Sequence, residues 1–241
     1  MKNFSVMVLA AVVALALAPA ALAMAEGLYI APKIGYSNFK AKTGSGDEPI
    51  QIGGGSSGSK SIVPFGLAVG YDFKPGYDVP LRAEFEYAYR GKKELIKYSD
   101  SPTGISADVD AIGKFGAQSF FLNGYFDIHN STPVTPYIGV GLGLAKVSVE
   151  YKADVSNISG VPVDDFKLNT SKTKTNLAWN IGGGAAWKII DNLALDLGYR
   201  YADFGKVSPD NHYIGGEARY FRFYDVKTSA HEVMLGLRFS F

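Results

Sequence analysis

Lys174–Phe204 reads KTNLAWNIGGGAAWKIIDNLALDLGYRYADF. Leu177, Trp179, Ile181, Ala185, Trp187 and Ile189 stand on alternate positions. After Ile190-Asp191-Asn192 the alternation resumes with Leu193, Leu195, Leu197, Tyr199 and Tyr201. Asn180, Asp196 and Arg200 fall on the other parity. A period of two is that of a β-strand, and the short Asp-Asn connection is a turn, so the stretch is an antiparallel hairpin with one apolar and one polar face.

The same pattern extends in both directions. Candidate strands are Leu28–Phe39, Ile62–Phe73, Pro80–Arg90, Ala117–Ile128, Thr135–Glu150, Lys174–Ile189, Leu193–Phe204 and Ser229–Phe241. Each is long enough to cross a bilayer at a steep tilt, which takes ~9–11 residues. On their apolar parity only Pro32, Gly124 and Gly183 are not apolar, and none is charged. No segment carries a sustained helical stripe, so no helix is expected in the mature chain. The connections alternate in length. Lys74–Val79, His129–Val134 and Ile190–Asn192 are tight turns, whereas Lys40–Ser61, Gly91–Gly116, Tyr151–Thr173 and Gly205–Thr228 are long and rich in Gly, Ser, Lys and Asp. Short turns at one end and long loops at the other characterise a membrane barrel, while a soluble domain seldom carries four such loops.

The first 25 residues read as a targeting segment. Lys2 supplies the positive charge, Phe4 to Ala18 is apolar or small, and Pro19 precedes two small-residue cleavage sites, after Ala23 or after Ala25. The run is shorter than the ~18–20 apolar residues of a spanning helix. The expected organisation is a signal peptide over 1–25 and a single barrel over 26–241. Because only helices and closed barrels satisfy every backbone group in lipid, the remainder spans as a barrel. Aromatics segregate by height along the apolar face: Tyr36, Tyr89, Phe120, Trp179 and Tyr201 near the loop end, Phe73, Phe126, Trp187 and Phe239 near the turn end, aliphatics between. These are the two girdles of a lipid-facing belt. The expected fold is therefore all-β, an eight-stranded antiparallel up-and-down transmembrane β-barrel.

Ala230–Phe241 (AHEVMLGLRFSF) resembles the closing strand of bacterial outer-membrane barrels. Thr135–Gly143 (TPYIGVGLG) and Asn180–Gly205 resemble the fifth to seventh strands of small porin-family, opacity-type and OmpA-membrane-domain-like barrels. The resemblance implies location in the bacterial outer membrane, contact with outer-membrane lipid, and a terminal Phe241 read by the barrel-assembly machinery. It is specific for architecture and general about function, because such proteins differ mostly in their loops.

An eight-stranded barrel is only just wide enough to be filled by side chains. Its expected inward set, Lys33, Arg82, Arg200 and Arg238 against Glu84, Glu86 and Asp196, is close to balanced. Buried charges must pair, so the expected role is a structural network that plugs the lumen, with Glu84 and Glu86 meeting Arg200 and Arg238 first and Lys33 and Arg82 also in reach. In the fourth loop Arg219, Tyr220, Phe221, Arg222, Phe223 and Tyr224 form an aromatic–arginine run suited to contacting an extracellular ligand.

No enzyme site or cofactor is expected. His129-Asn130-Ser131 resembles the His-x-Ser pair of outer-membrane lipid A deacylases, but it lies in a turn facing the periplasm and lacks a placed acid. The chain has no Cys, which excludes disulfides and Cys-based zinc sites, and Gly53–Gly58 lacks the Lys-Ser/Thr of a phosphate loop. A formal charge of +1, without basic clusters, argues against nucleic acid as a partner. Two functions remain: a surface-exposed interaction or envelope-structural protein acting through four extracellular loops, and, as the alternative, a small porin-like channel.

Overall fold

The structure, a computed structural model, describes residues 26–43, 57–100, 108–156, 166–208, 212–214, 219–221 and 225–241. The segment 1–25, with its two cleavage points, lies outside the described residues.

The chain forms strands β1 (Leu28–Thr43), β2 (Ser57–Ile62), β3 (Phe65–Asp72), β4 (Leu81–Asp100), β5 (Asp108–Asp127), β6 (Val134–Ser156), β7 (Phe166–Ile190), β8 (Leu193–Val207), β9 (His212–Ile214), β10 (Arg219–Phe221) and β11 (Val226–Ser240). Neighbours pair in the order β11-β8-β7-β6-β5-β4-β3-β1-β2, and β1 pairs back onto β11, which closes the sheet. With β2 and β3 forming one wall, this is an eight-stranded antiparallel barrel. Phe241 completes the seam by donating its N–H to the Leu28 carbonyl at 2.9 Å.

Three details depart from the sequence reading. The second strand is broken at Val63-Pro64, where proline has no N–H to give the ladder; the Pro64 carbonyl still accepts from Gly35 N at 3.1 Å. Lys74–Tyr77 forms a single helical turn, α1, where no helix was expected; Pro75 favours its start and Asp78, at φ 54°, ends it. The long connections are shorter than expected, because β4 and β5 run to Asp100 and from Asp108, and β6 and β7 to Ser156 and from Phe166. Much of what reads as loop is strand.

These extensions reverse the sidedness of the barrel. Within the membrane, Ile34, Phe85, Leu122, Val140, Leu142, Ile181, Leu197 and Leu235 point outward and are exposed. Above it, the outward positions of the same strands carry Lys40 and Lys42 in β1 and Lys146, Ser148 and Lys152 in β6. The inward positions there are apolar: Phe39, Ala41, Phe115, Val147, Val149, Phe204, Val207 and Val226 are fully enclosed. An apolar exterior is stable in lipid, and an apolar interior is required in water. The point of reversal, between Tyr36 and Lys40 on β1, marks the outer membrane boundary.

Placing Arg at Leu235, on the outward face near mid-height, is expected to cost about 2–4 kcal/mol of folded stability in lipid. The same change at Ser57, on the exposed face of β2, should cost close to nothing. Urea titration of vesicle-inserted protein measures both, and equal tolerance at the two positions would contradict a lipid-facing belt.

Candidate functional site: the stapled lumen

The inward parity of β4 presents Arg82, Glu84, Glu86 and Arg90 in order from turn end to loop end, each nearly excluded from solvent. Lys33 of β1 binds both carboxylates, with Nζ 2.6 Å from Glu84 Oε1 and 2.8 Å from Glu86 Oε2. Tyr29 and Tyr125 donate their hydroxyls to Glu84 at 3.2 and 3.1 Å. Arg200 of β8 reaches Glu86 through Nη1 at 2.7 Å and Glu232 of β11 through Nε at 2.9 Å. Arg90 grips Glu232 with Nε at 2.6 Å and Nη2 at 2.8 Å, and gives Nη1 to Ser119 at 2.9 Å.

These contacts form one ladder: Glu84, Lys33, Glu86, Arg200, Glu232, Arg90. β4 and β8 lie four strands apart on an eight-stranded ring, so Glu86–Arg200 spans the barrel's diameter. Nearer the turn end, Arg82 makes a two-pronged pair with Asp127 at 2.7 and 2.9 Å, lies 3.7 Å from Asp196, and stands 4.8 and 5.0 Å from the Tyr125 and Tyr137 rings, which meet edge to face. Tyr137 donates to Asp196.

Glycine makes room for this network. Asn180 donates to Asn123 at 2.9 Å across the intervening β6, directly over Gly141. A Cβ on Gly141 would sit 2.1 Å from the Asn123 oxygen and 2.3 Å from the Asn180 nitrogen. The space left among Lys33, Tyr125, Tyr137, Asp196 and Met234 is a cavity of about 50 Å³, enough for a few waters.

The expected lumen set is therefore brought inside, but its partners differ. Lys33 and Arg200 meet Glu84 and Glu86. Arg82 does not, because Asp127 on the neighbouring strand is closer. Arg238 meets neither; its guanidinium stands 5.5 Å from the Tyr29 ring and has no carboxylate partner among the described residues. Arg90, Asp127 and Glu232 were missing from the set. Including them brings the inward cations, Lys33, Arg82, Arg90, Arg200 and Arg238, level with the carboxylates Glu84, Glu86, Asp127, Asp196 and Glu232. His129 hydrogen-bonds the Asp127 carbonyl at 3.2 Å through its ring. In the fourth loop, Arg219, Tyr220 and Phe221 form β10 and pair with β9; Arg222, Phe223 and Tyr224 lie outside the described residues.

Above Arg90 the lumen is closed by rings. The face of Phe204 lies 4.6 Å from the Arg90 guanidinium, and the ring stacks on Phe39 at 5.7 Å, with Phe115 enclosed at the same end. An apolar exterior, a charge-stapled interior and a closed seam define a transmembrane β-barrel of the outer-membrane type. The chain belongs to the family described as the outer membrane protein beta-barrel domain, whose model matches residues 7–239. It is 33% identical to the outer membrane protein PagN of Salmonella typhimurium over 253 aligned positions, covering 100% of both chains. A Rickettsia conorii protein bearing the name "Putative adhesin" is 29% identical over 159 residues, covering 66% of this chain and 61% of that protein. Among solved structures, Neisserial surface protein A covers 89% of this chain and 97% of its own, at 19% identity and a TM-score of 0.43. The protein is an integral protein of the bacterial outer membrane.

Proposed function

We propose that the protein is a surface-exposed interaction protein of adhesin type, binding an extracellular ligand with the polar exterior and tips of its strand extensions. The observation that carries this reading is the closed lumen. Arg200 and Glu86 staple the barrel across its diameter, and Phe39, Phe115 and Phe204 fill the interior above them. A conducting path would need continuous water past these groups. With the interior filled, the surface left for recognition is the extension that β4–β5 and β6–β7 build above the membrane. The name "Putative adhesin" borne by the Rickettsia conorii relative supports the same reading. Outer-membrane lipid surrounds the belt, and Phe241 on the closing strand is offered to the barrel-assembly machinery.

The test separates this reading from the porin-like alternative. Bacteria that do not adhere to epithelial cells should adhere once they display the protein. They should lose that adherence when residues 149–172 are replaced by a two-residue Asn-Gly turn, which suits a β-hairpin. Planar bilayers holding the refolded protein should stay at baseline current. Discrete conductance steps without gain of adherence would overturn the proposal in favour of a channel.

A further inference from the structure

Immediately above the lipid-facing belt, three lysines lie side by side. Lys206 of β8 pairs with Lys227 of β11, and Lys227 pairs with Lys42 of β1; all three are exposed. Like charges directly opposite on neighbouring strands destabilise a sheet, so the fold itself has no use for this row. Lys40 stands on the same face of β1, two positions nearer the membrane. Asp203 neutralises Lys227 at 2.9 Å; Lys42 and Lys206 have no carboxylate partner among the described residues.

A built feature puts Lys206 in the row. Pairing slips by one residue between Lys227 and Ser229, and the extra residue in β8 is Gly205, at φ +79°. This bulge lets Phe204 and Val207 both point inward while Lys206 turns out beside Lys227. Without it, Lys206 would face the lumen. Three side chains hold the bulge. Asp203 accepts from Gly205 N at 2.9 Å, Asn176 donates to the Phe204 carbonyl at 3.0 Å, and Thr228 donates to the Gly205 carbonyl at 3.3 Å. A Cβ on Gly205 would sit 2.7 Å from that of Asn176.

We propose that the outward face of β8, β11 and β1 is a binding site for the phosphate-bearing headgroup of an outer-leaflet glycolipid. The layering of the face specifies a lipid and not a soluble anion. Below the lysines comes a cluster of interfacial rings, with Trp179 and Tyr201 at 5.5 Å, Tyr201 and His231 at 5.2 Å, and a Tyr199 Oη to His231 Nδ1 hydrogen bond of 2.7 Å. Below the rings lie Leu197, Leu235 and Leu237, exposed to the acyl layer. On β11, Lys227 stands four positions from His231, a rise of roughly 10 Å above the rings for a tilted strand. Lysine stems from that height reach down into the headgroup zone. One molecule with acyl chains below and phosphate above meets all three layers.

The test uses the full protein in an uncharged detergent and native mass spectrometry. The probes are a bis-phosphorylated, acylated glucosamine disaccharide and its dephosphorylated form. The wild type should retain the phosphorylated lipid and release the dephosphorylated one. Each Lys→Gln change should weaken retention about fivefold, and K42Q/K206Q/K227Q together on the order of a hundredfold. K42R/K206R/K227R should retain it. Without lipid, the triple Gln protein should melt no lower than the wild type, because the like-charge row is relieved; this separates lost binding from lost folding. Equal retention of both lipids, or of the phosphorylated lipid by wild type and triple Gln variant alike, would overturn the proposal. So would capture of a soluble sulfated polysaccharide by the row without capture of the lipid.

Discussion

Replacing Glu232 with Gln is expected to cost about 3–5 kcal/mol of folded stability, the usual penalty for breaking a buried ion pair from one side. Glu232 is fully enclosed and, among the described residues, is the carboxylate shared by Arg90 and Arg200. The amide keeps the shape of the carboxylate, so packing is unchanged and the loss is electrostatic. Arg90 is left with Ser119, and Arg200 with Glu86. Neither guanidinium can turn to water. The contrast is Glu150, half exposed on the extension, where Lys92 and Lys152 lie at 3.7 and 3.5 Å. Gln there should cost no more than ~1 kcal/mol, as exposed pairs do. Urea unfolding of vesicle-inserted protein, followed by the loss of heat-resistant gel mobility, reads both. A Glu232→Gln protein as stable as the Glu150→Gln protein would remove the ladder as a source of stability.

The parity that places Arg82, Glu84 and Glu86 inside also places Arg90, Asp127 and Glu232 there: Arg90 is four positions beyond Glu86, Asp127 two beyond Tyr125, and Glu232 two before Met234. That signal is present in the chain: Arg90 and Glu232 lie where the apolar outward face begins to fade, and Asp127 lies at the turn end of its strand between the outward Phe126 and Ile128. Which carboxylate meets which cation is a different matter. It depends on how far each strand is staggered against a wall four strands away, and alternation within one strand carries no such information. The extensions escaped for a related reason. Lys40–Thr43 and Tyr151–Ser156, beyond the strands read from the sequence, carry lysine, serine and threonine, the composition of loops, yet they continue the reversed period of two that Phe39, Ala41, Val147 and Val149 keep. A reading that follows the apolar outward face stops at the water line; one that follows periodicity alone continues. The bulge at Gly205 is legible only once pairing is known, since glycine before Lys-Val also suits an ordinary turn.

Truncating Phe204 to Ala is expected to cost about 3–5 kcal/mol, the range for a fully buried phenylalanine. A further fraction comes from the stacked cation, since Arg90 stands 4.6 Å over this ring. Phe204→Leu, which refills most of the volume, should cost less than ~1.5 kcal/mol beyond the lost stacking. The truncation also has an electrostatic signature. Phe204 and Phe39 separate the Arg90–Glu232 pair from extracellular water. Wild-type stability should therefore vary little with salt, because a pair sealed from solvent is poorly screened. In Phe204→Ala, water enters from above and brings ions within reach of the pair, so the unfolding midpoint should fall as salt rises. Conductance should stay at baseline even so, since Arg200 still crosses the lumen to Glu86 below the space that Phe204 leaves. A salt-independent variant would mean that the rings do not seal the ladder. Current through it would mean that the rings, and not the charges beneath them, close the barrel.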